Sequence, residues 1–170
     1  WMYIEARQNG KIWRQDYKLG VPQNKVKARG DAEDTGTFIR FLPDITIFKD
    51  IDYNYNQLAQ RFREMAYLTK GLRIRFSDER NDREMSFYFE GGITSFVRHL
   101  NRDKQVLHKL PFYAERMIDN VNVEVALQYT DSYDRDSVYA FANNINNTDG
   151  GAHLTGFRTA LTRVINSYAR

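Results

Sequence analysis

The 170-residue sequence contains no cysteine, which excludes disulfide bonds and thiolate zinc sites. That absence fits a reducing, cytoplasmic setting. No apolar run approaches the ~18 residues of a membrane-spanning helix, and no secretory leader pattern is present. A dominant charge of one sign is also lacking, since 25 basic side chains face 22 acidic ones for a net +3. So mild an excess does not define a nucleic-acid binder, which concentrates its basic groups in a patch or stripe. Phosphate-loop, dinucleotide-binding and nucleophile-elbow motifs are absent. His99, His108 and His153 are widely spaced, and none has a second ligand at helical spacing. They read as hydrogen-bonded or solvated histidines, with no metal site implied.

What is present suffices for a core. Hydrophobic residues make up 42%, with eleven Phe and eleven Tyr, and the 28% of charged residues is ordinary for a folded protein. Residues 2–7 and 11–18 are β-type runs separated by Asn9-Gly10, among the strongest short hairpin patterns. Residues 20–34 read as a polar loop with a short strand. Residues 35–42 alternate as a strand that Pro43-Asp44 ends. Tyr55, Leu58, Phe62 and Met65 fall on one helical face, and Gly71 is placed as the cap at that helix's end. Two strands, 72–76 and 85–89, are joined by the charged stretch 77–84. Glu90-Gly91-Gly92 is the candidate domain boundary. Ile93, Phe96, Val97 and Leu100 then trace an amphipathic helix. Residues 101–120 read as a loop, 121–129 and 137–143 as strands, and 144–152 as a loop into a last helix. No repeat or low-complexity tract occurs. The class is mixed α/β (α+β).

At ~100° per residue, Leu154, Phe157, Leu161, Val164, Ile165 and Tyr168 share a face of the last helix that is expected to be buried. Arg163 and Arg170 lie on the opposite side, and Arg158 sits at the border beside Thr155 and Thr162. This helix offers basic groups to something outside the core. Glu124, inside the apolar run 121–127, is expected to face solvent from the polar side of its sheet. Thr35-Gly36-Thr37 can hold a ligand, a water or its own backbone. Asp149-Gly150-Gly151 forms a loop before the last helix, where a phosphate could also sit. Taken alone, these residues reach a soluble mixed α/β protein and stop there.

Longer stretches carry more. The run from Asn143 to Arg163 (NNINNTDGGAHLTGFRTALTR), with VEVALQY at 123–129, YFEGGI at 88–93, REMAYL at 63–68 and TGT at 35–37, resembles the gyrase B family of bacterial type II DNA topoisomerase ATPase subunits, topoisomerase IV included. The matches keep the family's order along essentially the whole chain. The resemblance implies that residues 1–90 form the C-terminal part of a GHKL-type ATP-binding sandwich. Residues 91–170 would begin a ribosomal-S5-like transducer domain. In that family ATP binding closes two subunits around a DNA segment, which then passes through a double-strand break made by the partner subunit.

Trp1 reads as mid-strand and Arg170 as a helix end, so an internal piece of a larger subunit is expected. The family's catalytic Glu, magnesium-binding Asn, adenine-binding Asp and glycine-rich lid would precede Trp1. Its γ-phosphate lysine loop and its cleavage domain would follow Arg170. The chain alone is therefore expected not to turn over ATP, and it contributes no catalytic or metal-binding residue.

By position in the family, Thr37 matches the threonine on the floor of the adenine pocket, and Ile39 an apolar pocket position. Gln8 occupies the rim position where many members carry Arg. Strand alternation points Arg7 the other way, so Arg7 cannot replace it without a shift in register. Arg158 matches an arginine lining the central DNA cavity, and Arg163 ranks below it. The implied cofactors are ATP and Mg2+, the latter with its ligands outside this chain. The implied partners are double-stranded DNA, a gyrase-A-type cleavage subunit and a second copy of the ATPase subunit, with no membrane. The alternative is a non-catalytic nucleic-acid or interaction module that keeps the fold.

Overall fold

Asn9 and Gly10 both take positive φ (55° and 73°), as a two-residue hairpin turn of matching twist requires. They fold Met2–Gln8 (β1) back on Lys11–Lys18 (β2) in antiparallel register, Gln8 opposite Lys11 and Ala6 opposite Trp13. The computed structural model describes residues 1–132 and 138–170. They form two compact units, Trp1–Tyr53 and Asn54–Arg170. In the first unit, Val21–Pro22 (β3) and Lys27–Asp31 (β4) both pair with β2, and Gly36–Phe41 (β5) pairs with the free edge of β1. The sheet order is β3-β2-β1-β5, with β4 beside β2 across a bulge at Ile12/Trp13.

Period two along these strands separates two faces. One carries Tyr3, Glu5, Arg14 and Asp16. Arg14 bonds Glu5 at 3.1 Å and Asp16 at 2.7 Å, with its guanidinium 3.8 Å from the Tyr3 ring centroid. The other carries Met2, Ile4 and Ala6 opposite Phe41, Ile39 and Thr37.

In the second unit, the Asn54 side chain accepts the Gln57 N–H at 3.0 Å and so caps Tyr55–Leu68 (α1). Tyr55, Ala59, Ala66 and Tyr67 are its buried positions, with Phe62 packed at the edge of the same core. Thr69 is the C-cap. The expected cap, Gly71, lies two residues further on, with φ 78°, in the turn into the next strand.

Ile74–Asp78 (β6) and Arg83–Phe87 (β7) form a hairpin that reaches into the charged stretch expected to be a connector. Its charges explain why. Arg75 makes two 2.8 Å bonds to Glu84 across the strands, while Asp78, only 7% exposed, accepts from Arg80 N, Nε and Nη2 at 3.0, 2.9 and 2.8 Å. Phe76 and Phe87 close the core beneath α1.

Gly91-Gly92 falls inside this unit, where Gly92 (φ 55°) opens Gly92–Leu100 (α2). Tyr67 is the junction: its ring lies 3.6 Å from Phe89, 5.2 Å from Phe96 and 5.6 Å from His99, centroid to centroid. The stretch 101–120 is not all loop. Phe112–Ile118 (β8) pairs along its whole length with Val121–Leu127 (β9), turned by Asp119 and Asn120 at φ 47° and 64°. Phe141–Ala142 (β10) and Ile145–Asn146 (β11) make a small hairpin. The strand expected over 137–143 shrinks to β10 among the described residues, and Ser137 itself lies outside them. Ala152–Tyr168 (α3) is the last element.

Removing the ring at the junction leaves a cavity shared by α1, α2 and Phe89. Tyr67→Ala is expected to lower the unfolding free energy by about 3–5 kcal/mol, read from urea unfolding curves. Acid should act through Asp78. The Arg80 hydrogen bonds hold its carboxyl down to about 2, below the ordinary 3.8. A lowered folded value gives stability that is present above the ordinary value and is lost as pH falls through the folded one. Urea midpoints should therefore drop between about pH 4 and 2, and Asp78→Asn should flatten that part of the profile.

Candidate functional site

The first unit places Gln8, Thr37 and Ile39 on one face. Thr37 pairs with Ala6 and Ile39 with Ile4, and Gln8 follows Ala6 by one strand period. All three side chains are exposed, Ile39 by 55%. The surface is apolar along Met2, Ile4, Ile39 and Phe41, with the Thr37 hydroxyl and the Gln8 amide at one end. Such a face suits a flat heteroaromatic group: apolar contact for the ring, with a hydroxyl and an amide to read its edge.

Arg7 is on the opposite face. Its Nε lies 3.1 Å from Asp34, and its guanidinium lies over Gly36, where an added Cβ would come within 2.9 Å of it. The hairpin keeps its register, and Arg7 does not stand in for Gln8.

One feature has no mark in the sequence. Beyond β5, Phe41, Pro43, Phe48 and Ile51 line a cavity of ≈ 320 Å³ with Asp50 and Asp52 beside them. The run PDITIFKDI mixes apolar and acidic residues without a clear period, so only the folded loop brings them together.

The second unit presents α3. Leu154, Phe157 and Leu161 on its apolar face are half-buried, whereas Val164 and Ile165 are exposed and Tyr168 is 94% exposed. The face expected to be buried is thus covered only along its first turns. The wheel finds the apolar face but supplies no partner, and no other described element packs broadly on α3. On the polar side, Arg158, Thr159, Thr162, Arg163, Asn166 and Arg170 line an open trough of ≈ 850 Å³. The structure therefore brings together the two expected DNA-facing arginines, Arg158 and Arg163, and adds Arg170.

Glu124 does not face open solvent. It is half-buried, directly opposite Glu115, and Lys70 compensates the pair. The Lys70 Nζ donates to the Tyr113 hydroxyl at 2.6 Å and lies 3.8 Å from Glu115. The Tyr113 bond, and then the nearby Glu124 and Glu115 charges, raise the Lys70 pKa. His108 Nε2 accepts the Tyr129 N–H at 2.9 Å, which leaves Nδ1–H to donate to Leu110 O at 2.7 Å. Among the described residues no group of three or more His, Asp or Glu is placed to hold a metal ion, and no helix is long and apolar enough to cross a membrane.

The mixed α/β fold has close counterparts. The 43K ATPase domain of Thermus thermophilus gyrase B, solved in complex with an aminocoumarin, superposes with a TM-score of 0.86 at 33% identity, covering 99% of this chain and 46% of that one. The DNA gyrase B structure from Myxococcus xanthus gives 0.83 at 28% identity, covering 94% and 47%. In sequence, the DNA gyrase B protein of Clostridium acetobutylicum is 49% identical over 98% of this chain, and that of Myxococcus xanthus 43% over 99%. The DNA gyrase B family model matches residues 92–170. The chain belongs to the DNA gyrase B family. It spans 26% of the length of the Clostridium protein and 21% of the Myxococcus one.

Proposed function

We propose that this chain is part of the ATPase subunit of a type II DNA topoisomerase, the part that links nucleotide binding to closure of a clamp on duplex DNA. The observation that carries the reading is the shared face of Gln8, Thr37 and Ile39 in a chain of this family. Thr37 offers its hydroxyl to the edge of the adenine, Ile39 supplies apolar contact with the base, and Gln8 stands at the rim. ATP supplies binding energy for closure and a phosphoanhydride whose hydrolysis resets the clamp. The magnesium ligands and the catalytic base are not among these residues.

Residues 1–90 are assigned to the ATP-binding domain and 91–170 to the transducer, whose helix α3 turns Arg158, and secondarily Arg163, toward DNA. These arginines would meet phosphates and carry no sequence preference. The assembly is a cytoplasmic one, with a cleavage subunit of the gyrase A type and a second copy of the ATPase subunit. Relatives that match along the whole chain do not favour a stand-alone module. A supercoiling assay on the reconstituted assembly separates gyrase from topoisomerase IV.

Thr37→Val in the complete subunit keeps the side-chain volume and removes the hydroxyl. It should weaken binding of a non-hydrolysable ATP analogue by about tenfold or more, because the polar edge of the base loses its partner. Unchanged affinity in titration calorimetry would remove Thr37 from the pocket.

Gln8 makes the complementary case. An arginine there adds a charge-assisted donor at the rim. Gln8→Arg should tighten aminocoumarin binding by roughly tenfold, and equal affinities for the two proteins would count against the rim assignment.

A further inference from the structure

Two residues just past the last turn of α1 reach elements far along the chain. Thr69, the C-cap, accepts the Asn144 side-chain amide at 3.2 Å. Lys70, beside it, reaches β8. α2 packs on both α1 and β9, whereas α1 has no broad contact with β8 or β9 among the described residues. A side chain that joins the end of α1 directly to β8 is therefore a separate tie.

Lys70 makes this tie along its whole length. A Cβ added at Gly92 would come within 2.7 Å of Lys70 Cγ, 3.0 Å of Cε and 3.4 Å of Cδ, so the stem lies in the space that a larger residue would fill. Gly92 is constrained twice, since its φ of 55° also favours glycine. At the far end Nζ donates to the Tyr113 hydroxyl at 2.6 Å, with the Tyr113 ring centroid 4.5 Å away. The hydroxyl in turn donates to Glu115 Oε2 at 2.8 Å, and Glu115 Oε1 accepts from Asn122 on β9 at 3.1 Å. The Lys70 and Glu115 side chains are 43% and 44% exposed, and an ion pair so exposed contributes little to stability. What the contact supplies is placement, because it fixes a point on β8 relative to the end of α1.

We propose that Lys70 is a positioning residue for ATP turnover by the complete subunit. Its stem seats on Gly92 and its ammonium on Tyr113, which sets the β8–β9 hairpin against the end of α1. The inference rests on the proposed division of the chain near residue 90. It goes beyond that reading by naming the side chain that crosses the division. Lys70 is no part of the face formed by Gln8, Thr37 and Ile39, which lies in the other unit, so affinity for nucleotide does not depend on it. What depends on it is the alignment of the part after residue 90 once nucleotide is bound, and hence the rate of turnover.

The test uses the complete subunit. Lys70→Met keeps an unbranched stem and removes the ammonium. It should lower kcat about tenfold, hold KM for ATP within about twofold of the parent and leave the urea midpoint nearly unchanged. Tyr113→Phe should reproduce the loss. The double variant should be no slower than either single one, because both break the same bond. Lys70→Arg retains a charged donor and should recover most of kcat. Hydrogen exchange of residues 112–127, read by mass spectrometry, should quicken in Lys70→Met and Tyr113→Phe, with residues 55–68 unchanged.

A parental kcat in Lys70→Met overturns the proposal, as does a KM that rises in step with the fall in kcat. Losses that multiply in the double variant also overturn it, since Lys70 and Tyr113 would then act separately. A steep drop in urea midpoint that Lys70→Arg does not relieve reduces Lys70 to a support of the fold. If the parent binds no ATP analogue, the nucleotide reading falls and the positioning role falls with it. If the parent binds and turns over ATP, the variants judge Lys70 alone.

Discussion

The register of β1 between β2 and β5 is the constraint on which the candidate ligand face depends. Side chains alternate along a strand, so a slip of one residue would send Gln8, Ala6, Ile4 and Met2 to the opposite face and bring Arg7 onto this one. Two features hold the register. The positive φ values of Asn9 and Gly10 fix a two-residue turn, which makes Gln8 and Lys11 partners. On the far side, Arg7 is held by Asp34 while its guanidinium lies over Gly36. An exposed ion pair of this kind contributes little to stability by itself, about 0–1 kcal/mol. Its value is geometric, because it ties the side chain that would compete for the rim to the other side of the sheet.

In the second unit the comparable role falls to Tyr67. The proposed division between ATP-binding and transducer parts falls near residue 90, yet the packing does not thin there. Tyr67 on α1 stacks on Phe89 just before the glycine pair and on Phe96 and His99 just after it. Lys70 continues the connection at the surface, reaching from the end of α1 to Tyr113 and Glu115 on β8. Asn144 adds a bond to Thr69 at 3.2 Å. α1 is therefore joined to α2 and to the β8–β9 hairpin through packed rings and short polar contacts.

Legibility follows the range of the interactions involved. The β1–β2 hairpin, α1 and α2 are readable because their determinants are local: an Asn-Gly turn and apolar residues at helical spacing. β8 is not. Its residues Phe112, Ala114 and Ile118 alternate, but Arg116 interrupts the pattern, and Asp119-Asn120 is a weaker turn mark than Asn-Gly. Gly71 misleads by two residues for a related reason, since a glycine with positive φ serves a connecting turn as well as a cap. Glu124 is legible as a polar residue on a strand. The Lys70 charge that acts on it is not, because the two residues stand 54 positions apart in the chain. The shared face of Gln8, Thr37 and Ile39 requires no long-range information beyond pairing, and the family resemblance supplies the reason to look there.

α3 shows where periodicity stops being sufficient. Its wheel separates an apolar from a basic side, but burial is a property of what lies opposite, and of the apolar face only Leu154, Phe157 and Leu161 are half-buried. The same arithmetic understates the basic side. It places Arg158 at the border and Arg163 and Arg170 across from the apolar face, as though they were separate features. In the structure Arg158, Arg163 and Arg170, the last of them past the helix end, line one open trough with Thr159, Thr162 and Asn166. Angles measured at Cα describe a cylinder, whereas the surface is made by the tips of the side chains. Reach, and not angle alone, makes these three arginines one surface.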